Sequence, residues 1–390
     1  MLRAQRMNGL ESSIFSDLEQ ARRQKEASGT DCINFSIGTP DLAPPRHLMD
    51  VISREAAKPD QYRYAICDLP ELTHAVERWY RRRYDVALPA GGVQSLMGSQ
   101  EGLAHIALTL VDPGDVVLVP DPCYPIFSVG PKVAGAEIIP VPLLESEGWR
   151  MDLASVPESV AKRAKLIIAS YPNNPTCALA PAGFYEELVA FAKNHDIAVL
   201  HDNAYSELTT PEAPGGSFLS VPGAMEVGIE FNSLSKTWNV PGCRISFAVG
   251  NPEIIGNLRL LKSHLDYGVF LPFQRFAIAA LEGPQDFIST VRGTYAARRR
   301  TLVDSFADAG WKIPMPAGTM FAWAPLPEGW TDSLAFSMHL IETAGVMVVP
   351  GVSFGKRGEG YVRLALVQTE ARIREAAERI SRIGSLNRVI

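Results

Sequence analysis

The sequence lacks the features that mark a secreted, membrane or thiolate metal-binding protein. Its five cysteines are widely spaced and never form a C-x-x-C pair, so neither a disulfide framework nor a thiolate metal site is indicated. No run of about 18 apolar residues occurs, and residues 1–20 carry charges without the apolar segment of a signal peptide. We therefore expect a cytoplasmic protein with no membrane partner and no metal.

Long blocks of one charge are also missing. The net charge of -6 comes from interspersed acidic and basic residues, and only residues 81–83 and 298–300 form runs of three arginines. Both runs lie in segments with a helical pattern, where solvated helix faces explain them most simply. The charge pattern therefore argues against a nucleic-acid partner.

Short apolar runs alternate with helical patterns over most of the chain. Its 390 residues, 46% of them hydrophobic, can build about two domain cores. Patterns of buried strands lie at residues 116–119, 166–169, 197–200, 228–231 and 243–250, and helical patterns at 69–84, 98–110 and 184–194. This alternation predicts an α/β fold with a mostly parallel sheet that helices cover on both faces.

The two ends of the chain have a different pattern. Helices are predicted there at residues 11–29, 284–310, 333–344 and 370–383, and strands at 320–323 and 361–367, with an extended segment at 32–37. A further helix is predicted at 254–264, before the second end begins. We expect three parts: an N-terminal arm that joins the small domain (1–40), a large domain (41–283) and a small α+β domain (284–390).

Polar residues follow predicted strands at four places. Each has a plain explanation by itself: Ser99 as a helix cap, Asn174 as part of a proline turn, Asp202 as a surface group and Lys236 as a solvated lysine on a loop. The chain has no G-x-G-x-x-G motif, and residues 351–356 fall one residue short of a Walker loop. Together, however, the four places lie at one edge of the predicted sheet, where ligands of open α/β sheets bind.

At this edge the chain resembles the fold-type I, pyridoxal-phosphate-dependent aminotransferases of class I and II, from about residue 14 to residue 383. The motifs occur in the family's order and close to its spacing: Gly38, Gly98-Ser99-Gln100, Tyr124, Asn174-Pro175-Thr176, Asp202-x-x-Tyr205, Ser233-x-Ser235-Lys236, Arg244 and Arg363. The resemblance implies the PLP-dependent transferase fold, with a large and a small domain, and pyridoxal 5'-phosphate as the cofactor.

The resemblance also implies three catalytic residues. Lys236 would bond to the cofactor aldehyde and then move the proton at the substrate α-carbon, which requires an amine that is neutral part of the time. Asp202 would pair with the ring nitrogen and keep it protonated, because a charged ring withdraws electrons. Tyr205, together with Asn174, would hydrogen-bond the phenolic oxygen of the cofactor.

The remaining roles concern binding. Tyr124 would stack on the ring face, and Arg363 would grip the substrate α-carboxylate with two hydrogen bonds, beside Gly38 and Asn174. The residues expected around the cofactor phosphate are Ser99, Gln100, Ser233, Ser235 and Arg244.

Two positions depart from the family pattern. Cys177 stands where a glycine usually follows Asn-Pro-Thr, and Asp68 stands where a glycine usually precedes the Leu-Pro-Glu-Leu helix start. The family often donates a tyrosine across a dimer to the neighbouring phosphate. Tyr64 is our choice for that role, with Tyr62 as the alternative, and a homodimer with shared active sites is expected.

The expected reaction is a ping-pong exchange of an amino group between an amino acid and a 2-oxo acid. Residues 98–120, 233–251 and 348–366 are most similar to bacterial LL-diaminopimelate aminotransferases and the related alanine-type enzymes, so LL-diaminopimelate and 2-oxoglutarate are the named pair. The alternatives are an alanine-type or broad-specificity aminotransferase, a Cys-S-conjugate β-lyase that shares the carbanion step, and a regulator that binds the cofactor without turnover.

Overall fold

The computed structural model describes residues 4–8, 10, 13–210 and 215–383. Helices and strands alternate through most of this part of the chain. The helices are α1 Ser13–Ala27, α2 Arg46–Ala56, α3 Pro70–Tyr84, α4 Ser99–Leu110, α5 Ile126–Ala134, α6 Glu158–Ala161, α7 Phe184–His195, α8 Ala224–Val227, α9 Leu234–Thr237, α10 Pro252–Leu265, α11 Leu271–Glu282, α12 Asp286–Asp308, α13 Ser333–Ala344 and α14 Glu370–Ser381.

The strands form three sheets within the described residues. They are β1 Ile33–Asn34, β2 Val93–Leu96, β3 Val116–Asp121, β4 Glu137–Leu144, β5 Arg150–Met151, β6 Ala164–Ala169, β7 Ala198–Asp202, β8 Gly228–Ser233, β9 Ser246–Gly250, β10 Phe321–Pro325, β11 Val346–Met347, β12 Val349–Pro350 and β13 Tyr361–Ala365.

The largest sheet has eight strands in the order β2-β9-β8-β7-β6-β3-β4-β5. Strands β8, β7, β6, β3 and β4 are parallel to one another, whereas β9 is antiparallel to β2 and β8, and β5 is antiparallel to β4. The α/β fold with a mostly parallel sheet is therefore confirmed. Strand β2 runs in the same direction as β8, because both are antiparallel to β9.

Apolar side chains on both faces of this sheet explain why its strands are continuous apolar runs. Leu118 and Val199 face one hydrophobic cluster, while their neighbours Val117 and Leu200 face the other, as the two-residue period of a strand requires. Buried residues of α3, α7 and α11 complete the first cluster, and those of α4, α5 and α10 complete the second. Helices thus cover both faces, and the loops carrying the site residues project from one edge.

The later part of the chain builds a smaller sheet. Strands β10, β13 and β12 are antiparallel, and β1 from the N-terminal arm pairs in parallel with β11, with Ile33 opposite Val346. Helix α1 packs against α13, and α12 packs against α14. The domain limits 1–40, 41–283 and 284–390 stay a prediction.

Two arginines of the second run, Arg298 and Arg299, are buried, so the interpretation of this run as a solvated helix face holds only for Arg300. Arg298 donates to the Asp41 carboxylate through two nitrogens, both at 2.6 Å, and Arg299 donates to the carbonyl oxygens of Leu208 and Thr319. Only 5% of Arg298 and 2% of Arg299 is exposed. A guanidinium can be buried where acceptors surround it, and here these acceptors connect α12 to the loop before α2, to the loop after β7 and to the residues before β10.

The segment around Lys236 also differs from the prediction. Lys236 lies in the single turn of α9 and not on an open loop, because the Ser233 hydroxyl caps this turn by accepting from the Ser235 N–H at 3.1 Å. The following strand begins at Ser246 and not at residue 243. Pro241 opens a short 3-10 turn, and Arg244 has a left-handed backbone with φ 49°, which delays the start of the strand.

Three well-formed helices, α2, α5 and α11, have no counterpart among the predicted elements. Helix α11 has Pro272 in its first turn, which reads as a breaker although proline fits that position well. Its side chains are buried on most sides against α2 and α3, which hides the helical period. Among the described residues, no helix combines the length and apolar character needed to cross a membrane.

Candidate active site

The carboxyl-terminal ends of β2, β6, β7 and β8 meet around one cavity of about 350 Å³. Most of the site residues predicted from the sequence line it, although they come from distant parts of the chain. Those that line it are Gly38, Ser99, Gln100, Tyr124, Asn174, Asp202, Tyr205, Ser233, Ser235, Lys236, Arg244 and Arg363. Tyr64 is the predicted residue that does not line this cavity.

One end of the cavity is built to hold an anion. Ser99 opens α4, a 12-residue helix whose first N–H groups and dipole favour negative charge, and the Ser99 hydroxyl is buried without a hydrogen-bond partner. The Arg244 guanidinium lies against Gly98, where a Cβ would displace it and where the φ of 80° favours glycine. Ser233 and Ser235 line the same cavity. An unpartnered hydroxyl, a cation and a helix N-terminus together suit a phosphate.

The Asp202 carboxyl lies in the cavity without a partner for its Oδ1 atom. Burial raises its pKa to about 7, with the negative charge of Glu230 acting in the same direction and His201 opposing it. A buried carboxylate without a counter-charge is unfavourable, so this position suits a ligand that brings a positive charge or a donated proton.

Lys236 faces two guanidinium groups and has no carboxylate partner among the described residues. Its Nζ donates to the carbonyl oxygen of Gly38 at 2.8 Å. Burial lowers the pKa of Lys236 to about 8, and the positive charges of Arg363 and Arg244 act in the same direction. A substantial fraction of this amine is therefore neutral near pH 8, which is the form that can act as a nucleophile or base.

Arg363 is buried between two aromatic rings, with the centre of its guanidinium 4.2 Å from the Phe321 ring centroid and 4.7 Å from that of Phe354. It donates to the Asn174 side-chain oxygen at 2.9 Å and to the Ser36 carbonyl at 3.2 Å, while its Nε has no partner. Burial lowers its pKa to about 10, so it stays a cation at neutral pH. This fixed charge can bind a carboxylate.

Two tyrosines line the cavity between its charged groups. Tyr205 is buried, packs edge-on against Phe321 with ring centroids 5.9 Å apart, and has a pKa that burial holds well above its ordinary value. The Tyr124 hydroxyl donates to the Gln100 side-chain oxygen at 3.4 Å, and burial also raises the pKa of Tyr124. Both phenols are therefore protonated at neutral pH and can donate hydrogen bonds.

The two aromatic residues that flank Arg363, Phe321 and Phe354, were missed by sequence reasoning. Phe321 begins β10, opposite the end of β13, and Phe354 lies in the turn after β12. Their signal in the sequence is weak, because a phenylalanine in a strand or turn is usually a core residue. Phe321 also excludes any side chain at position 38, since a Cβ on Gly38 would lie 2.8 Å from its ring.

Cys177, where a glycine is usual, retains the backbone conformation that a glycine favours. Its φ is 63°, which costs a side-chain-bearing residue about 1–2 kcal/mol. Its thiol is buried, donates to the Pro175 carbonyl at 3.3 Å and accepts from the Thr319 hydroxyl at 3.4 Å. These contacts retain the turn that presents Asn174.

Asp68, the second departure, connects its loop to β2. Its carboxylate accepts from the backbone N–H of Ser95 at 2.7 Å and from the Ser95 hydroxyl. The preceding residues are exposed: 79% of Tyr64 and 65% of Tyr62 is accessible, and their rings contact Tyr267 and Phe270 respectively. The role of Tyr64 at a partner's phosphate stays a prediction.

Comparison with known proteins decides the family. A family model described as aminotransferase class I and II matches residues 30–380. The chain belongs to that family. It is 43% identical over 385 residues to the LL-diaminopimelate aminotransferase of Moorella thermoacetica, covering 98% of each chain. It is 44% identical over 388 residues to that of Desulforudis audaxviator, covering 99% of this chain and 98% of the relative.

Solved structures are similar to this chain over nearly its whole length. Apo-BacF from Bacillus subtilis matches with a TM-score of 0.95 at 34% identity, covering 99% of both chains. A probable N-succinyldiaminopimelate aminotransferase from Thermus thermophilus matches with a TM-score of 0.90 at 35% identity, covering 95% of this chain and 99% of that one. The chain is thus a transaminase of fold type I that uses pyridoxal 5'-phosphate.

The residues present fit this cofactor. The unpartnered Ser99 hydroxyl and Arg244 suit its phosphate, and the unpartnered Asp202 carboxyl suits its ring nitrogen. Lys236 is the primary amine of the same cavity. The bound cofactor supplies an electron sink that stabilises negative charge at the substrate α-carbon.

Proposed function

We propose that this aminotransferase moves an amino group from LL-diaminopimelate to 2-oxoglutarate, the two substrates using one site in turn. The observation that supports an amino-acid substrate is the buried Arg363 cation. It lines the same cavity as Lys236, whose pKa is lowered to about 8, so that part of its amine is neutral. The choice of LL-diaminopimelate rests on the relatives with that name, at 43% and 44% identity.

In the proposed mechanism, the chain's own groups bind the substrate and move one proton. Arg363 holds the α-carboxylate with two charge-assisted hydrogen bonds, and Asn174, already bound to Arg363 at 2.9 Å, fixes the plane of the guanidinium. Lys236 would take the proton from the substrate α-carbon and deliver it to the cofactor carbon C4′. With the cofactor bound, Asp202 would keep the ring nitrogen protonated, and Tyr205 would donate to the phenolic oxygen.

A donor screen tests the substrate assignment. Purified, cofactor-loaded protein is given 2-oxoglutarate and one amino donor at a time, and glutamate is measured. We expect LL-diaminopimelate to give a kcat/KM at least about tenfold above those of L-alanine and L-aspartate. L-lysine is the matched control, because it lacks the second carboxylate.

The other outcomes of the screen separate the alternatives. Faster reaction with L-alanine would make the enzyme alanine-type, and similar rates with many donors would make it a broad-specificity aminotransferase. Pyruvate and ammonia formed from cystathionine without an acceptor would indicate a β-lyase. Absence of glutamate with LL-diaminopimelate would refute the proposed pair.

Substitution of Arg363 tests the proposed carboxylate site. Arg363→Ala removes a charge-assisted contact of about 1.5–3 kcal/mol, so we expect KM for the amino donor to rise by roughly 10- to 100-fold with a smaller change in kcat. The KM of Arg363→Lys should lie between those of wild type and Arg363→Ala, because lysine keeps the positive charge but cannot make the bidentate contact. Exposed Arg357→Ala is the control. An unchanged KM in Arg363→Ala would contradict this role.

We also propose that the active protein is a homodimer with shared sites. Among the described residues, the cations that line the cavity are Lys236, Arg244 and Arg363, and each already has a role above. The second carboxylate of LL-diaminopimelate therefore needs another partner. The exposed side chains of Tyr64 and Ile66 form part of a surface that a second copy could cover. Light scattering should give a mass of about twice 42.5 kDa, and a fully active monomer would contradict the proposal.

The compartment and the cofactor contact of Tyr64 are further proposals. The five cysteines are unpaired, which fits a reducing cytoplasm. Tyr64→Phe in the dimer removes a hydroxyl proposed to reach the partner's phosphate, whereas Tyr62→Phe is the matched control. Weaker cofactor binding in Tyr64→Phe alone would support the assignment, and weaker binding in Tyr62→Phe alone would favour the alternative.

A further inference from the structure

A fully buried carboxylate lies on β8, the strand beside the one that ends at Asp202. Glu230, on β8, has 0% exposure and accepts five hydrogen bonds. The donors are the Tyr80 hydroxyl at 2.9 Å, His201 Nδ1 at 2.8 Å, Asn203 Nδ2 at 3.0 Å, the Ser217 hydroxyl at 3.0 Å and the Phe218 N–H at 2.9 Å. Burying a carboxylate requires such donors, since an unpaired one is costly.

Two of these five donors flank Asp202 in the sequence. His201 precedes Asp202 on β7 and lies opposite Glu230 in the sheet, and Asn203 follows it. Successive side chains of a strand point to opposite faces, so holding residues 201 and 203 on the Glu230 side turns Asp202 to the other side. The Asn203 backbone N–H also donates to the Phe231 carbonyl at 2.8 Å, which continues the strand pairing past Asp202.

The Asp202 carboxyl has little direct support of its own. Its Oδ1 is buried without a partner, so no neighbouring donor fixes this oxygen in the cavity. The direction of the side chain therefore depends on the backbone at residues 201–203. That backbone is held by Glu230 from one side and by β8 through the sheet hydrogen bonds.

We propose that Glu230 is a positioning residue, which holds Asp202 towards the cavity by fixing its two neighbours in the sequence. This inference rests on the proposed role of Asp202 at the ring nitrogen. Through His201 the same carboxylate is connected to the turn that carries Asn174, since the Tyr171 N–H donates to His201 Nε2 at 3.3 Å. Glu230 thus links the supports of two groups that line the site.

The test compares variants that break different parts of this cluster. Glu230→Gln keeps the shape but turns one acceptor into a donor, and Asn203→Ala removes one flanking contact while four donors to Glu230 remain. Tyr80→Phe is the matched control, because it removes a donor to the same carboxylate that does not flank Asp202. Asp202→Asn supplies the reference phenotype.

The readouts are the visible absorption spectrum of the cofactor-loaded protein, kcat and KM, and the Tm of each variant. We expect Glu230→Gln and Asn203→Ala to shift the spectrum in the direction of Asp202→Asn and to lower kcat by about 10- to 100-fold, with little change in KM. Tyr80→Phe should lower only the Tm. If Glu230→Gln does not fold, Asn203→Ala and Tyr80→Phe decide the question.

Two results would overturn the inference. One is a normal spectrum and kcat in both Asn203→Ala and any folded Glu230→Gln. The other is an equal change in Tyr80→Phe, since that would mean a general loosening of the fold. If instead the proposed role of Asp202 at the ring nitrogen is wrong, Asp202→Asn itself would have a normal spectrum and kcat.

Discussion

Lys236→Ala is expected to lower kcat by about 10⁴-fold, the largest effect that a positioned base contributes. The variant loses the amine that we propose bonds to the cofactor and moves the proton at the substrate α-carbon. No other lysine lines the cavity formed by the described residues, so no second amine can replace it there. Single-turnover absorbance with excess amino donor would measure the loss directly.

The control for this prediction separates chemistry from binding. The residues proposed to hold the phosphate and the ring are unchanged in Lys236→Ala, so noncovalent cofactor binding should persist when measured by fluorescence quenching. Lys312, which is exposed, gives the matched variant Lys312→Ala with unchanged kcat. If Lys236→Ala retained more than about a hundredth of the wild-type kcat, its assignment as the proton-transfer base would be wrong.

Asp202→Asn is expected to lower kcat by about 10²- to 10³-fold, the loss that follows removal of one buried electrostatic contact to the reacting system. The amide has nearly the shape of the carboxylate, but it carries no negative charge to keep the ring nitrogen protonated. KM for the amino donor should change less, because Arg363 still holds the carboxylate. Steady-state kinetics with the preferred donor measures both quantities.

The same variant should stabilise the protein without cofactor in a pH-dependent way. The pKa of Asp202 is raised from 3.8 to about 7 by burial, so the folded state binds this proton more tightly than the unfolded state does. Its contribution to stability is therefore full below about pH 4 and is lost as the pH rises through about 7. Three pKa units correspond to about 4 kcal/mol.

Denaturant unfolding of the cofactor-free protein at two pH values checks this expectation. Near neutral pH, Asp202→Asn should have the higher free energy of unfolding by a few kcal/mol, and near pH 4 the difference should be small. Exposed Asp196→Asn is the matched control, because both residues tolerate its left-handed backbone. Equal stability of wild type and Asp202→Asn at neutral pH would show that burial does not raise this pKa.

The fold class was accessible from the sequence because the strands of the large sheet are buried on both faces. Such strands appear as short apolar runs, and the helices between them retain a helical period. Helix α11 was missed for the opposite reason, since Pro272 in its first turn and burial on most sides hide that period. Arg298 and Arg299 were misread because a sequence does not reveal which acceptors surround a cation.

The residues of the site were likewise predicted in part, and the contacts among them were not. Resemblance to the family, residue by residue, identified the groups that line the cavity, from Gly38 to Arg363, across more than three hundred residues of chain. It did not give the aromatic pair around Arg363, nor the five donors to Glu230, because these contacts join residues without any common motif. Such contacts exist only once the strands are aligned.

The sequence predicts an α/β fold from apolar periodicity, and its family motifs predict an aminotransferase and the residues that line the cavity, because periodicity and short motifs are local properties. The tertiary structure alone decided their chemical state. Burial, together with the positive charges of Arg363 and Arg244, lowers the pKa of Lys236 to about 8, and burial raises that of Asp202 to about 7. These values depend on distances between side chains and on the loss of solvent, which only the packed fold sets.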